Sequence, residues 1–74
     1  MKYKLTGKYR KQGAQGKSQP FTREIKASSP KQAMDRNREE LYQLGFDHIL
    51  HTSIAERRGK FWHNIPMLVA LGLE

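Results

Sequence analysis

The amino-terminal segment, residues 2–10, alternates without a break between two kinds of side chain. The odd positions hold the apolar or small residues Tyr3, Leu5, Gly7 and Tyr9. The even positions hold one threonine and four cations: Thr6, Lys2, Lys4, Lys8 and Arg10. A period of two is that of a β-strand, in which successive side chains point to opposite faces. The pattern therefore predicts a strand with one buried face and a ladder of positive charges on the other.

A second strand is predicted at residues 21–27, after a loop rich in glycine, glutamine and serine at residues 11–20. Phe21 and Ile25 would point inward. Arg23 shares their parity, which indicates an edge position or a frayed start. The two strands and the loop between them predict an antiparallel hairpin.

A helix is predicted from about Pro30 to Leu44. The serine before Pro30 can accept hydrogen bonds from unpaired amides, and proline suits the first helical position. Gly45 can take up the left-handed conformation that ends a helix, after which Phe46 can pack back on Leu41. The residues near the buried face of this helix are Ala33, Met34, Asn37, Leu41 and Leu44.

Residues 48–56 predict a third strand, with Leu50 and Ile54 inward. Residues 65–71 are compatible with a short helix and equally with a fourth, buried strand. Because this stretch is apolar on every side, we expect it to be largely buried, within the fold or against a second chain.

Together these elements predict a single small basic α+β domain spanning residues 1–74, with the order ββαβ. One helix would pack on an antiparallel sheet of three strands, or of four if the tail adds one. The helix returns the chain so that the third strand lies beside the first, in the order 2-1-3. The open face of the sheet would then carry the cations of the first strand.

Several function classes are excluded by what the sequence lacks. It has no cysteine, so neither a disulfide nor a thiolate metal site is available. His48 and His51 would point to opposite faces of a strand, and no metal site is predicted. No phosphate-binding loop or nucleophile motif is present, so we expect no enzyme, no catalytic residue and no cofactor. Neither a signal peptide nor a membrane segment is predicted, which favours a cytoplasmic protein.

The net charge of +7 is concentrated near the two ends of the chain. Residues 1–26 hold eight basic residues and one acid, whereas residues 27–56 hold three basic residues and five acids. Residues 57–74 hold three basic residues and one acid. Such asymmetry is typical of a phosphate-binding surface. The alternative is a basic protein whose charge serves only its solubility.

Two groups of residues are candidates for nucleic-acid binding. The first is the ladder Lys2, Lys4, Lys8 and Arg10, whose alternate residues lie about 6.6–6.8 Å apart, close to the phosphate repeat of a nucleic-acid strand. An exposed strand kept soluble by lysine is the alternative. The hairpin would extend the ladder through three further cations, Lys11, Lys17 and Lys26.

The second group follows the third strand and combines cations with an aromatic side chain: Arg57, Arg58, Lys60 and Trp62. Aromatic rings stack on unpaired bases while cations hold the backbone. Core packing is the alternative for the aromatic residues. It is favoured for Phe61, and it is as good as base stacking for Trp62.

Several short motifs resemble the archaeal large-subunit ribosomal protein LX family. The segment 19–25 resembles the second strand of that family, and the pattern continues through Gly7, Ala27, Ala33, Leu44, Gly45 and His48. The resemblance covers residues 3–56; the tail from residue 61 has no counterpart in the family. It implies a small ββαβ domain that packs on large-subunit ribosomal RNA.

The sequence thus favours a module that binds structured RNA, ribosomal or ribosome-associated, through the basic sheet face. A small phage or mobile-element protein is the alternative, acting as a protein-interaction module or a DNA-binding factor. Its support is the apolar tail, which offers a surface for a protein partner or for self-association. The residues of this surface are Ile65, Met67, Leu68, Val69 and Leu71.

Overall fold

A computed structural model describes residues 1–13 and 17–73. Four strands form one antiparallel sheet, in which the second strand in the chain lies at one edge and is followed by the first, the third and the fourth. The predicted α+β class and the ββαβ order are confirmed, with a fourth strand and a short second helix added. The elements are β1 (Lys2–Lys11), β2 (Gln19–Lys26), α1 (Pro30–Gln43), β3 (Phe46–Arg58), β4 (Phe61–Ile65) and α2 (Met67–Ala70). Residues 14–16 of the predicted hairpin loop lie outside the described residues.

The core lies between the sheet and the two helices. The odd residues of β1 face α1, and Tyr3 and Leu5 are almost fully buried there. On β2, Ile25 pairs with Tyr3, and Phe21 pairs with Gly7. Both helices pack on this one face, since their buried residues belong to the same apolar cluster: Ala33, Met34, Leu41 and Ala70. Neither of the described helices packs on the other face of the sheet.

Helix α1 begins and ends where the sequence predicts. The hydroxyl of Ser29 accepts a hydrogen bond from the Gln32 amide at 3.1 Å, and Gly45 follows the helix with φ 96°. Leu44, expected inward, is exposed. The chain turns at Gly45, and Phe46 takes the place of Leu44 by packing against the core cluster and stacking on Tyr9 with 4.2 Å between ring centres.

Strand β3 is bulged twice against the regular strand β1. Thr6 pairs with Ser53 but Gly7 pairs with His51, so Thr52 is an extra residue. This shifts the alternation: Ile54 is buried as predicted, but Leu50 is 60% exposed and His51 is the buried residue. A second irregularity follows between Lys8 and Arg10, where His48 has φ 51°.

The bulges bring β3 very close to Gly7. A Cβ atom at this position would overlap the carbonyl oxygen of Leu50 and come within 2.9 Å of the Phe21 ring. Glycine is therefore required here by the close approach of a neighbouring strand, a common reason for glycine inside a strand.

Of the two alternatives for residues 65–71, the short helix is the one formed, at Met67–Ala70, and the fourth strand lies before Pro66, at Phe61–Ile65. Met67 and Ala70 pack on the core. Within the single chain the stretch is only partly buried, because Leu68, Val69 and Leu71 are 51%, 45% and 43% exposed; burial of these residues against a second chain stays a prediction. A single helical turn packs on the core with one side only, and these three residues lie on its other side.

Phe61 is also exposed, at 71%, although core packing was expected for it. It is the first residue of the edge strand β4 and pairs with Arg58 at the end of the sheet, beyond the helices. No helix within residues 1–13 and 17–73 has the length and apolar character needed to cross a membrane.

Candidate nucleic-acid interface

The sheet face turned away from both helices is called the open face below. Because β1 has no bulge, its even residues all point to this side. The pairing registers then place residues of the other strands beside them. The cations of the open face are Lys2, Lys4, Lys8 and Arg10 of β1, Lys26 of β2 and Arg57 of β3. Its other residues include Thr6, Thr22, Glu24, Ser53, Ala55, Trp62 and Asn64.

Cross-strand pairing gathers four of these cations at one end of the open face. Lys2 lies opposite Lys26, and Arg57 lies opposite Trp62. Lys4 occupies the next transverse row. Like charges placed in adjacent positions repel one another, so this end of the sheet is an attractive site for an anion that lowers the repulsion.

Trp62 contacts two of the cations at this end. The Lys4 Nζ atom lies 4.8 Å from the centre of the indole ring, and the Arg57 guanidinium carbon lies 5.3 Å from it. A cation over an aromatic ring at such distances gains about 0.5–1 kcal/mol. Between Lys4 and Asn64 the row holds only Ala55, whose small side chain leaves room for the ring to reach Lys4.

The contacts of Trp62 join the two groups that the sequence predicts separately. The ladder of β1 forms one surface with Arg57 and Trp62 of the second group, and the ring of Trp62 lies on this surface, outside the core. The Trp62 side chain is partly buried, and its contacts hold the Lys4 and Arg57 side chains over the sheet. These two side chains therefore lose less conformational freedom when a ligand binds.

The cations of the open face form no salt bridge to a described residue. In the part of the chain that the structure describes, the ion pairs join Lys31 and Arg38 to Asp35, His48 to Asp47, and Arg58 to Glu56. None of these pairs includes a cation of the open face. Two carboxylates lie opposite cations of the open face in the register, Glu24 opposite Lys4 and Asp47 opposite Arg10, without forming a salt bridge to them among these pairs.

Four of the predicted site residues lie off the open face. Lys11 has the parity of the core residues and pairs with Phe46. Lys17 and Lys60 are exposed in connecting segments. Arg58 points to the helix side, where its Nε donates to a Glu56 carboxylate oxygen at 3.0 Å. The other seven predicted residues lie together on the open face: Lys2, Lys4, Lys8, Arg10, Lys26, Arg57 and Trp62.

A buried polar network crosses the opposite face of the sheet. Arg23 of β2 donates to the Asn37 Oδ1 atom of α1 at 3.0 Å. The Asn37 amide nitrogen therefore donates to His51 Nε2 of β3, also at 3.0 Å. Two features of the sequence are signals for this network, an asparagine on the apolar side of a helix and an inward arginine, but the network itself was not predicted.

The network holds His51 in its neutral form. Burial lowers the pKa of His51, the nearby charge of Arg38 adds to this effect and Asp35 opposes it, so that the pKa is about 4. With Nε2 accepting from Asn37, the ring proton is on Nδ1, which has no hydrogen-bond partner among the described residues. The network ties α1 to two strands and lies on the far side of the sheet from the cations. No cluster of metal-ligating side chains occurs among the described residues.

Comparison of the chain with protein-family models, with curated proteins and with solved structures found no match. The resemblance to the ribosomal family therefore depends on its short motifs alone. The function has to be argued from the chemistry of the open face.

Proposed function

We propose that this protein binds structured RNA through the open face of its sheet, as a non-enzymatic cytoplasmic module. The observation that carries the proposal is the gathering of six cations on one face with no salt bridge to any described residue. Lysine and arginine side chains neutralise phosphates and release the counterions condensed on the nucleic acid. No bond is made or broken in this mechanism.

The placement of the cations supports backbone contacts over scattered surface charge. On β1, alternate side chains are about 6.6–6.8 Å apart, close to the phosphate repeat. The strand is hydrogen-bonded on both sides, which fixes this spacing. At one end, Trp62 holds Lys4 and Arg57. The resemblance to a ribosomal protein family favours RNA as the nucleic acid.

The proposal is tested by changing Lys4 and Lys8 to glutamine and measuring RNA affinity at several salt concentrations. We expect weaker binding to unrelated RNA sequences and a log–log salt slope shallower by about one to two units. The matched control is Lys31→Gln with Arg38→Gln, which removes the same charge from exposed side chains of α1. Unchanged affinity and slope in the Lys4/Lys8 variant, with the fold intact, would contradict the proposal.

A second candidate function is docking on a protein partner through α2. The exposed side chains of Leu68, Val69 and Leu71 favour it. Beside them lies a groove of about 280 Å³ with mostly apolar walls from α1, β3 and α2. The affinity of an apolar surface changes little with salt, so the same titration distinguishes the two functions.

A further inference from the structure

Building on the proposed function, we infer that the open face binds double-stranded RNA across its minor groove. We further infer that a row of hydroxyl side chains on this face distinguishes RNA from DNA. The row consists of Thr22, Thr6 and Ser53 and is called the hydroxyl row below.

The hydroxyl row crosses three neighbouring strands. Thr6 pairs with Thr22 of β2 and with Ser53 of β3. Adjacent strands are about 4.8 Å apart, so the row is about 10 Å long. A hydroxyl group donates one hydrogen bond and accepts others, which matches the 2′-hydroxyl of a ribose.

The three hydroxyl groups are available for a ligand. None of them forms a hydrogen bond within the described residues, and Thr22 and Ser53 are exposed. The bulge residue Thr52 differs, because its hydroxyl donates to the Thr6 carbonyl oxygen at 3.1 Å. Thr52 therefore offers a matched control for the loss of a hydroxyl group.

Cations flank the hydroxyl row on both sides. Lys4 and its neighbours lie on one side, and Lys8 and Arg10 lie on the other. Lys4 and Lys8 are four residues apart on a regular strand, or about 13 Å. Two positive groups with a neutral polar row between them fit two phosphate strands and the groove between them.

The minor groove of A-form RNA has the matching shape and chemistry. It is wide and shallow and displays 2′-hydroxyl groups, whereas the RNA major groove is deep and narrow. The minor groove of B-form DNA is only about 6 Å wide and displays no 2′-hydroxyl. A sheet face can therefore contact both phosphate strands and the ribose hydroxyls only on the RNA duplex.

The open face offers little to unpaired bases. Among its described residues, Trp62 is the one Phe, Tyr or Trp side chain, and Lys4 and Arg57 already lie against its ring. Single-strand binding usually depends on free aromatic rings on which bases stack. The ring of Trp62 positions cations instead, which favours duplex RNA as the ligand.

The experiment compares the binding of three probes to the intact protein: an RNA duplex of about 16 base pairs, the DNA duplex of the same sequence, and the unpaired RNA strand. We expect the RNA duplex to bind at least about tenfold more tightly than the DNA duplex, since several hydrogen bonds are lost with the 2′-hydroxyls. The triple variant Thr6→Val, Thr22→Val, Ser53→Ala should reduce this preference to about twofold or less. Its affinity for the DNA duplex should be unchanged.

Each outcome separates this inference from the proposed function. Equal binding of the RNA and DNA duplexes by the wild-type protein would overturn the inference and leave nucleic-acid binding intact. Tighter binding of the unpaired strand would also overturn it. A failure to bind any probe would overturn both. Thr52→Val is the control and should keep the RNA preference, provided that thermal melts show both variants folded.

Discussion

Arg23 of β2 determines, through Asn37 of α1, which ring nitrogen of His51 carries the proton. Arg23 donates to Asn37, which must then present its amide nitrogen to His51 Nε2. The ring is left with an Nδ1 proton that has no partner among the described residues. A buried imidazole in this position cannot gain a second proton without placing a charge near Arg38. The fold therefore depends on the neutral ring.

This arrangement predicts a loss of stability in acid. The pKa of His51 is about 4 in the folded chain, below the value of about 6.5 expected in the unfolded chain. Between these values the unfolded state binds more protons, so stability is complete above pH 6.5 and falls as the pH falls towards 4. We expect the free energy of unfolding to be about 2 kcal/mol lower at pH 5 than at pH 7.5.

Urea titrations at the two pH values measure this difference. His51→Gln should remove most of the pH dependence, because glutamine cannot titrate. His63→Gln changes an exposed histidine of β4 and should retain it. Equal urea midpoints for the wild-type protein at pH 5 and pH 7.5 would show that His51 is not held neutral by the fold.

At the scale of the elements, the close approach of β3 to β1 gives a prediction for Gly7→Ala. The added methyl group would overlap the Leu50 carbonyl oxygen and press on the Phe21 ring, so the bulged part of β3 must shift. We expect a loss of about 1–3 kcal/mol in the free energy of unfolding. Urea denaturation measures it, with Ser53→Ala on the open face as a control expected within about 0.5 kcal/mol of wild type. A Gly7→Ala protein as stable as wild type would mean that the two strands are further apart.

The same bulges mark the limit of prediction from sequence. Alternation predicted β1 correctly because no residue of β1 is extra in its pairing. It failed for Leu50 of β3 because the extra residue Thr52 reverses the parity, and a bulge depends on the partner strand. Simple alternation also predicts that Arg57 and Arg58 point to opposite faces of the sheet. It does not predict the contact between Lys4 and Trp62, because that contact requires the register of β4 across β3. The hydroxyl row was missed because it requires the registers of β2 and β3 against β1.

At the scale of the whole molecule, the cations without a salt bridge and the exposed apolar residues of α2 occupy opposite sides of the sheet. The unpaired cations lie on the open face, and the exposed residues of α2 lie on the helix side. The single tryptophan of the chain lies on the charged side, against Lys4 and Arg57. Its fluorescence should therefore report which side a ligand covers.

We expect added RNA duplex to change the intensity of Trp62 fluorescence in a saturable way, because phosphates bound by Lys4 and Arg57 change the charge next to the ring that these side chains contact. Raising the salt concentration should reverse the change. A partner bound at α2 should leave the signal unaltered. Saturable RNA binding, measured independently, without any change in this fluorescence would place the RNA away from the open face.

Because β1 alternates strictly, its odd and even positions are under different evolutionary constraints. The odd positions are constrained by packing under the helices, whereas the even positions are constrained only by what the protein binds. Substitutions at the even positions of β1 could therefore abolish or change ligand binding while the fold is preserved. Descendants of this chain could thus share one scaffold while differing widely in the ligands they recognise.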